Sequence, residues 1–182
     1  RTKFLAIFGA AFMLPLLIAV ANPEALSGTS VLAAEKKQPK YKDVKTRKRQ
    51  SVGGKCAKAL EKVQVVLEEE NWPESLNMLN GIEASTKTCA SDYEQTQIWK
   101  FKGYIYYSLD DLPRAIRSYR KVIDGVGTPL ELALDTRYTV AQLYTVEEQY
   151  GKAAIELEIW MDAANIIGGD ARVLLAQIYY QL

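Results

Sequence analysis

Histidine is absent from this chain of 182 residues. Its absence excludes the commonest general base, the usual metal ligand and every nucleophile that an imidazole activates. The chain has only two cysteines and no glycine-rich phosphate loop, so neither a thiolate metal cluster nor a nucleotide site is expected. Acidic clusters at 68–70, 110–111 and 147–148 fall at the ends of predicted helices, where carboxylates are solvated and do not face each other across a cleft. We therefore expect no catalytic residue, no cofactor and no metal, and classify the chain as a non-enzyme.

What the chain has instead is a set of small and large residues at regular spacing. The set is Trp99, Gly103, Tyr106, Ala115 and Tyr119. Its intervals of 4, 3, 9 and 4 residues are typical of the tetratricopeptide repeat, a helix-turn-helix of about 34 residues whose hairpins stack into a superhelix. A small residue lets the second helix of a hairpin approach the first, and a large residue fills the space beside it. Lys102 departs from the pattern, since it stands where leucine is usual.

The pattern recurs along the chain, as a stable stack of hairpins requires. Ala141, Tyr144 and Ala153 follow the corresponding members of the first set after 38 residues, and a further copy begins at Ala176. A weaker copy precedes them, in which Val63 replaces the small residue. Recurrence of this kind favours a repeat protein that offers a surface to another protein.

These copies predict an all-α fold, a tetratricopeptide-repeat superhelix or α-solenoid of antiparallel helix hairpins, over residues 55–182. About three and a half hairpins fit, and the pattern stops inside the last one, so we expect repeats to continue beyond residue 182. We predict helices near 55–70, 73–86, 94–109, 112–124, 131–147, 150–166 and 170–182.

Residues 1–34 form a different kind of segment. Arg1 and Lys3 precede an apolar run that contains Pro15 and ends in small residues near Ala21 and Ala34, which is the pattern of a signal peptide. An uncleaved N-terminal anchor is the alternative, although the run is short for a span of about 20 residues. Because no cysteine lies in this segment, attachment of a lipid through an N-terminal cysteine is excluded. We expect the mature protein in the periplasm.

Residues 35–54 are predicted to be a basic, flexible linker. Residues 35–55 hold nine Lys or Arg against Glu35 and Asp43, and residues 56–182 hold twelve against nineteen acidic groups. The net charge is thus +7 over residues 35–55 and −7 over residues 56–182, with low hydrophobicity in the basic part. The segment is either a solvated linker or a contact to anionic lipid headgroups or an acidic partner. We expect no nucleic acid as a partner of an exported protein.

The two cysteines are predicted to form a disulfide bond. Cys56 lies at the start of the first predicted helix and Cys89 just after the second, and these ends are neighbours in an antiparallel hairpin. Export would deliver them to an oxidising compartment, in which cysteines pair. The alternative is two unpaired, small apolar side chains.

A protein-binding groove is predicted on the first helices of the hairpins, whose second, fifth, ninth and twelfth residues face inward in this kind of repeat. The groove residues are Lys100, Tyr104, Tyr107, Tyr138, Gln142, Gln177 and Tyr180. Tyrosine gives large contact area with a hydrogen-bonding tip, as protein interfaces require. Alternatively, these tyrosines pack between neighbouring helices. Charged residues of the second helices, Arg114, Arg117, Arg120 and Glu156 among them, are expected to face outward.

Three segments resemble a known family: Arg49 to Gly53, Ile98 to Tyr107 and Tyr138 to Tyr144. Over about residues 45–182 the chain is similar to exported tetratricopeptide proteins of marine and related gammaproteobacteria that are described as components of a TonB system. The resemblance implies a non-catalytic periplasmic scaffold with a protein or peptide partner in the cell envelope, TonB, ExbB or ExbD among the candidates. It assigns no catalytic residue. Alternatives are an envelope assembly factor or chaperone, and an enzyme whose chemistry lies beyond residue 182.

Overall fold

The computed structural model describes residues 39–42, 50–85 and 87–182. The predicted signal peptide lies outside these residues, as does most of the predicted linker. Seven helices account for most of the described residues, which contain no strand. They are α1 (Gly54–Glu68), α2 (Trp72–Ala84), α3 (Asp92–Ser108), α4 (Leu112–Asp124), α5 (Leu130–Val146), α6 (Tyr150–Ala163) and α7 (Gly169–Gln181).

The all-α fold class is confirmed for the described residues, and each helix packs against the next one in sequence. The helix bounds differ from the predicted ones by at most three residues. The largest difference is at α6, which ends at Ala163 because the chain then turns into an extended conformation at Ala164. Short connections join α1 to α2, α3 to α4 and α5 to α6, which is the arrangement of helix hairpins.

These three connections share one backbone conformation. Glu70, Asp110 and Glu148 each follow a helix and adopt the left-handed region, with φ of 56°, 58° and 57°. The next residue then donates its N–H to the carbonyl five positions back, as Asn71 does to the Val66 carbonyl at 3.2 Å. Each connection is therefore a Schellman motif, although glycine usually occupies its left-handed position. The repetition of this unusual backbone shows that the three hairpins are variants of one local structure.

The residue after the left-handed one also begins the next helix. The side chain of Asn71 accepts from the Glu74 N–H at 3.3 Å, and that of Asp111 accepts from the Arg114 N–H at 2.9 Å. A single residue thus satisfies a carbonyl of the preceding helix and an amide of the following one. The amide and guanidinium of Arg114 keep the pKa of Asp111 below its usual value.

Close packing within the hairpins depends on the small residues. A Cβ on Gly103 would lie 2.6 Å from the ring of Tyr119, so only glycine allows α4 to approach α3 there. Ala141 and Ala153 are wholly buried where α5 meets α6. Ala176, on the last described helix, is exposed.

Two buried charges explain departures from the expected pattern. Lys102 is buried beside Trp99, with its ammonium 4.6 Å from the ring centre and ion-paired to Glu83 of α2. Glu156 was expected to face outward, but that expectation is wrong, because its carboxylate is buried between the guanidinium groups of Arg120 and Arg137. The ion pairs connect α4, α5 and α6. The two guanidinium groups supply the opposite charge and the hydrogen bonds that a buried carboxylate needs.

The first turn of α3 is fixed by another buried carboxylate. Ser91 and Glu94 form a capping box, and the Glu94 carboxylate also accepts from the Gly53 N–H at 2.8 Å. The amide of Ser91 donates to it at 2.9 Å, and these backbone donors lower the pKa of Glu94 against the opposing effect of burial. Glu94 therefore connects the start of α1 to the start of α3.

Candidate protein-binding surface

The predicted groove residues lie on the three helices that begin hairpins. Lys100, Tyr104 and Tyr107 are on α3, Tyr138 and Gln142 on α5, and Gln177 and Tyr180 on α7. Four of them are half-buried: Lys100, Tyr104, Tyr138 and Gln142. Tyr107, Gln177 and Tyr180 are exposed, Tyr180 to 87%. Side chains of the groove set are therefore available at both α3 and α7.

Electrostatic interactions relate these helices to each other. Burial lowers the pKa of Lys100, and the carboxylate of Asp135 on α5 partly opposes this effect. Burial likewise raises the pKa of Tyr138, with a further contribution from Asp170 on α7. In both pairs, the residue at the fifth position of one repeat interacts with the residue at the second position of the next repeat. This is expected if the first helices of the hairpins form one surface.

Two of the groove tyrosines also take part in packing. The ring of Tyr104 meets Trp72 of α2 edge to face at 6.0 Å, and Tyr138 lies 4.7 Å from the ring of Trp160 on α6. Both therefore contact the second helices of hairpins, in addition to the surface they expose. Their substitution would disturb packing as well as any binding.

Cys56 and Cys89 are bonded to each other, with their Cα atoms 4.8 Å apart. Both are wholly buried in a cluster with Leu60 and Val63 of α1. Gln95 of α3 donates to the Cys89 carbonyl at 2.6 Å. The bond thus joins the start of α1 to the connection that leads into α3.

Part of the predicted linker packs against α5 and the end of α6, a contact that sequence analysis missed. Tyr41 is wholly buried, and the segment 39–42 lies against α5 and the end of α6. The prediction of a flexible linker is wrong for these four residues, because the Tyr41 side chain fills an apolar pocket that has polar groups at its base. Tyr41 is the only aromatic residue in the stretch 35–55, and that was the one signal in the sequence.

The Tyr41 pocket is formed by Leu134, Asp135, Trp160 and Ala164. The Tyr41 hydroxyl donates to the Asp135 carboxylate and accepts from the Trp160 Nε1–H at 2.9 Å. Burial, with the neighbouring carboxylate second, raises the pKa of Tyr41. Asp135 is therefore already engaged, although its helical position places it in the groove register.

A second feature is an open cleft of about 410 Å³ between α1 and α2. Its rim carries Lys55, Lys58 and Lys62, and its floor includes Met78 and Ile82. No acidic side chain lines it. The cleft is thus a cationic and apolar surface on a domain that is otherwise acidic.

No cluster of three or more potential metal ligands occurs within residues 39–42, 50–85 and 87–182. None of the seven helices is long and apolar enough to span a bilayer, within that same described part of the chain. Comparison of the whole chain with models of protein families gives no match, and a search of curated proteins finds no similar sequence.

Proposed function

We propose that this chain is a tetratricopeptide-repeat scaffold that binds a segment of another protein on the surface formed by α3, α5 and α7. The recurring turns and the contact between Gly103 and Tyr119 support this repeat type. The observation that carries the binding surface is the electrostatic interaction of Lys100 with Asp135 and of Tyr138 with Asp170, each between neighbouring first helices. Uncharged amphipathic side chains accompany these residues on the same three helices.

The proposed location is the periplasm, supported by the leader pattern of residues 1–34 and by the cysteine pair. The resemblance described above supports a narrower proposal, an accessory role in a TonB-type system for uptake across the outer membrane. Genes for TonB, ExbB and ExbD beside the gene for this chain would favour that role. N-terminal sequencing of the protein extracted from cells distinguishes a cleaved leader from a retained anchor.

Site-specific photocrosslinking tests the binding surface. A photoreactive amino acid at Tyr107 or Tyr180 should crosslink to the partner, because both side chains lie on exposed parts of the proposed surface. The same probe at Ile155 or Ile159 of α6 is the control, since both are exposed and apolar but belong to a second helix. Crosslinks from α6 alone would place binding on the outer face and contradict the proposal.

The measured affinity gives a second test. Once the crosslinked partner is identified, Tyr107→Ala with Tyr180→Ala should weaken its binding by roughly 2 kcal/mol, the scale of an interface hot spot. Ile155→Ala with Ile159→Ala should leave the affinity unchanged. Helix content by circular dichroism should stay the same in both variants, because all four side chains are at least partly exposed.

An envelope assembly factor or chaperone is the alternative function. Such a protein would crosslink to many unfolded clients, whereas a scaffold of one complex would give one dominant product. The number of crosslinked species from Tyr107 therefore distinguishes the two.

Contact with an anionic surface is a second proposed property, favoured by the three lysines around the α1–α2 cleft. Each basic group near such a surface contributes about 1 kcal/mol. Lys58→Glu with Lys62→Glu should weaken sedimentation with vesicles that contain phosphatidylglycerol. Equal sedimentation of the variant and the unchanged protein would contradict this property.

A further inference from the structure

We propose that the Tyr41 pocket is a recognition site for a tyrosine within an extended basic segment, and that residues 39–42 are a built-in occupant which a similar segment of a partner protein displaces. This inference rests on the proposed function, because Asp135 belongs to the groove register of α5. It adds the chemistry of one subsite and of the segment that fits it.

The base of the pocket selects tyrosine. Asp135 and the Trp160 indole N–H meet at a single oxygen, the hydroxyl of Tyr41, behind a wall that includes Leu134 and Ala164. Phenylalanine would fill the same wall but would leave the half-buried Trp160 N–H without its acceptor. Asp135 would lose one donor and keep its ion pair with Lys40. Because an N–H without an acceptor is costly in a partly buried site, the pocket favours tyrosine over phenylalanine.

The backbone around Tyr41 must be extended. Lys42 N–H donates to the Ala163 carbonyl at 2.7 Å, and Asn165 N–H donates to the Lys40 carbonyl at 3.1 Å. These two bonds form an isolated antiparallel bridge between Tyr41 and Ala164. The Asn165 side-chain amide adds a bond to the Pro39 carbonyl at 2.6 Å. Main-chain hydrogen bonds of this kind form with any sequence in an extended strand. They therefore select the conformation of the ligand, whereas the pocket selects the side chain at the position of Tyr41.

The flanking residues favour a basic ligand. The Lys40 ammonium lies 2.6 Å from the Asp135 carboxylate, and that of Lys42 lies 3.0 Å from the Asp162 carbonyl. Both lysines are exposed, so their contribution is smaller than that of the tyrosine. A tyrosine with lysine on each side in an extended segment is therefore the chemistry that this site fits.

The segment behaves as a ligand because the helices below it have their own core. Ala141, Ala153, Ala154 and Leu157 form a buried cluster between α5 and α6 that does not include Tyr41. Trp160 also packs against Tyr138, so its ring is held from a second side. Emptying the pocket therefore removes a peripheral contact and leaves the α5–α6 interface in place.

Being part of the same chain gives residues 39–42 an advantage over any external segment. A tethered ligand experiences an effective concentration in the millimolar range. A free peptide of the same sequence should therefore bind poorly to the unchanged chain and well to a chain whose pocket is vacant.

The test uses the full chain and a labelled synthetic peptide that has the sequence of residues 36–46. The variant Tyr41→Ala should bind this peptide at least tenfold more tightly than the unchanged protein does, as measured by fluorescence anisotropy. A peptide with phenylalanine in place of its tyrosine should bind Tyr41→Ala at least tenfold more weakly. Adding Asp135→Asn to Tyr41→Ala should give a similar loss. Tyr93→Ala, a matched loss of a half-buried tyrosine on α3, should behave as the unchanged chain does.

Three results would overturn the inference. If the peptide does not bind to a folded Tyr41→Ala chain, residues 39–42 are a structural contact and the pocket is not a recognition site. Equal binding to Tyr41→Ala and to the unchanged chain would place the peptide elsewhere. Loss of helix content in Tyr41→Ala would show that the segment is part of the fold and not a ligand. None of these results affects the crosslinks from Tyr107 and Tyr180, which test the larger surface separately.

Discussion

Glycine at the left-handed helix ends should stabilise this protein, and glycine one residue earlier should destabilise it. Glu70 has a φ of 56°, whereas the preceding Glu69 has a φ of −81°. Both side chains are exposed, so truncation removes the same chemistry at the two positions. The backbone conformation is then the only property in which the two substitutions differ.

The magnitude follows from two opposing effects. A left-handed conformation costs a residue with a Cβ about 1 to 2 kcal/mol, and glycine loses about 0.5 to 1 kcal/mol more than alanine in conformational entropy on folding. Glu70→Gly should therefore raise the free energy of unfolding by about 0.5 to 1 kcal/mol, whereas Glu69→Gly should lower it by a similar amount. Glu148→Gly should act as Glu70→Gly does, and the two gains should add because the sites are in different hairpins.

Urea unfolding followed by far-ultraviolet circular dichroism measures these changes, with the disulfide kept intact. The two variants at 69 and 70 should shift the midpoint in opposite directions. A shift in the same direction, or a loss of stability in both Glu70→Gly and Glu148→Gly, would refute the assignment of a left-handed backbone to the hairpin turns.

Three further predictions concern bonds within the domain. Replacing Cys56 and Cys89 together by serine should lower the free energy of unfolding by about 3 to 4 kcal/mol, from the loop entropy of a separation of 33 residues; a urea midpoint that is unchanged would contradict this. Glu156→Ala should cost about 3 kcal/mol because it leaves two arginines without their buried carboxylate, whereas the control Glu158→Ala, on the exposed side of α6, should cost less than about 1 kcal/mol. Since the pKa of Glu94 is lowered in the fold, its contribution to stability is present above the ordinary value of 4.5 and is lost as the pH falls below it; Glu94→Gln should flatten that part of the stability–pH curve, and an identical acid dependence in the variant would contradict this.

The sequence predicts the helices well because their signals are local. The spacing of Gly103, Ala115 and Tyr119 follows from contacts within one hairpin, and the structure places the glycine directly against the Tyr119 ring. Turn residues such as Asn71 and Pro73 likewise act within a few positions of themselves. Elements of this kind require no knowledge of distant parts of the chain.

The features that sequence analysis missed all depend on distant partners. Tyr41 is separated from Asp135 by 94 residues and from Trp160 by 119, so nothing near it predicts a pocket. Glu156 has the charge expected of an exposed residue, but its exposure depends on Arg120 and Arg137, which come from two other helices. Composition describes a segment by itself and therefore cannot show which surface that segment meets.

The groove prediction lies between these cases. Periodicity assigns Tyr104 and Tyr138 to the inner positions of their helices, and Tyr138 interacts with Asp170 of the next first helix, α7. Periodicity does not show that the same two rings contact the rings of Trp72 and Trp160. Whether a tyrosine serves binding or packing depends on the facing helix, and the sequence of one helix does not contain that information.

The bond between Cys56 and Cys89 also determines how the chain responds to a pulling force. Tension applied between the N-terminal part of the chain and α3 passes through the sulfur atoms, so α1 and α2 carry none of it. The 32 residues between the cysteines, which are 33 positions apart, cannot extend, and a stretched chain would be shorter by about 105 to 115 Å than its reduced form. Under load, the first hairpin would keep its fold while the non-covalent contacts of Tyr41 give way.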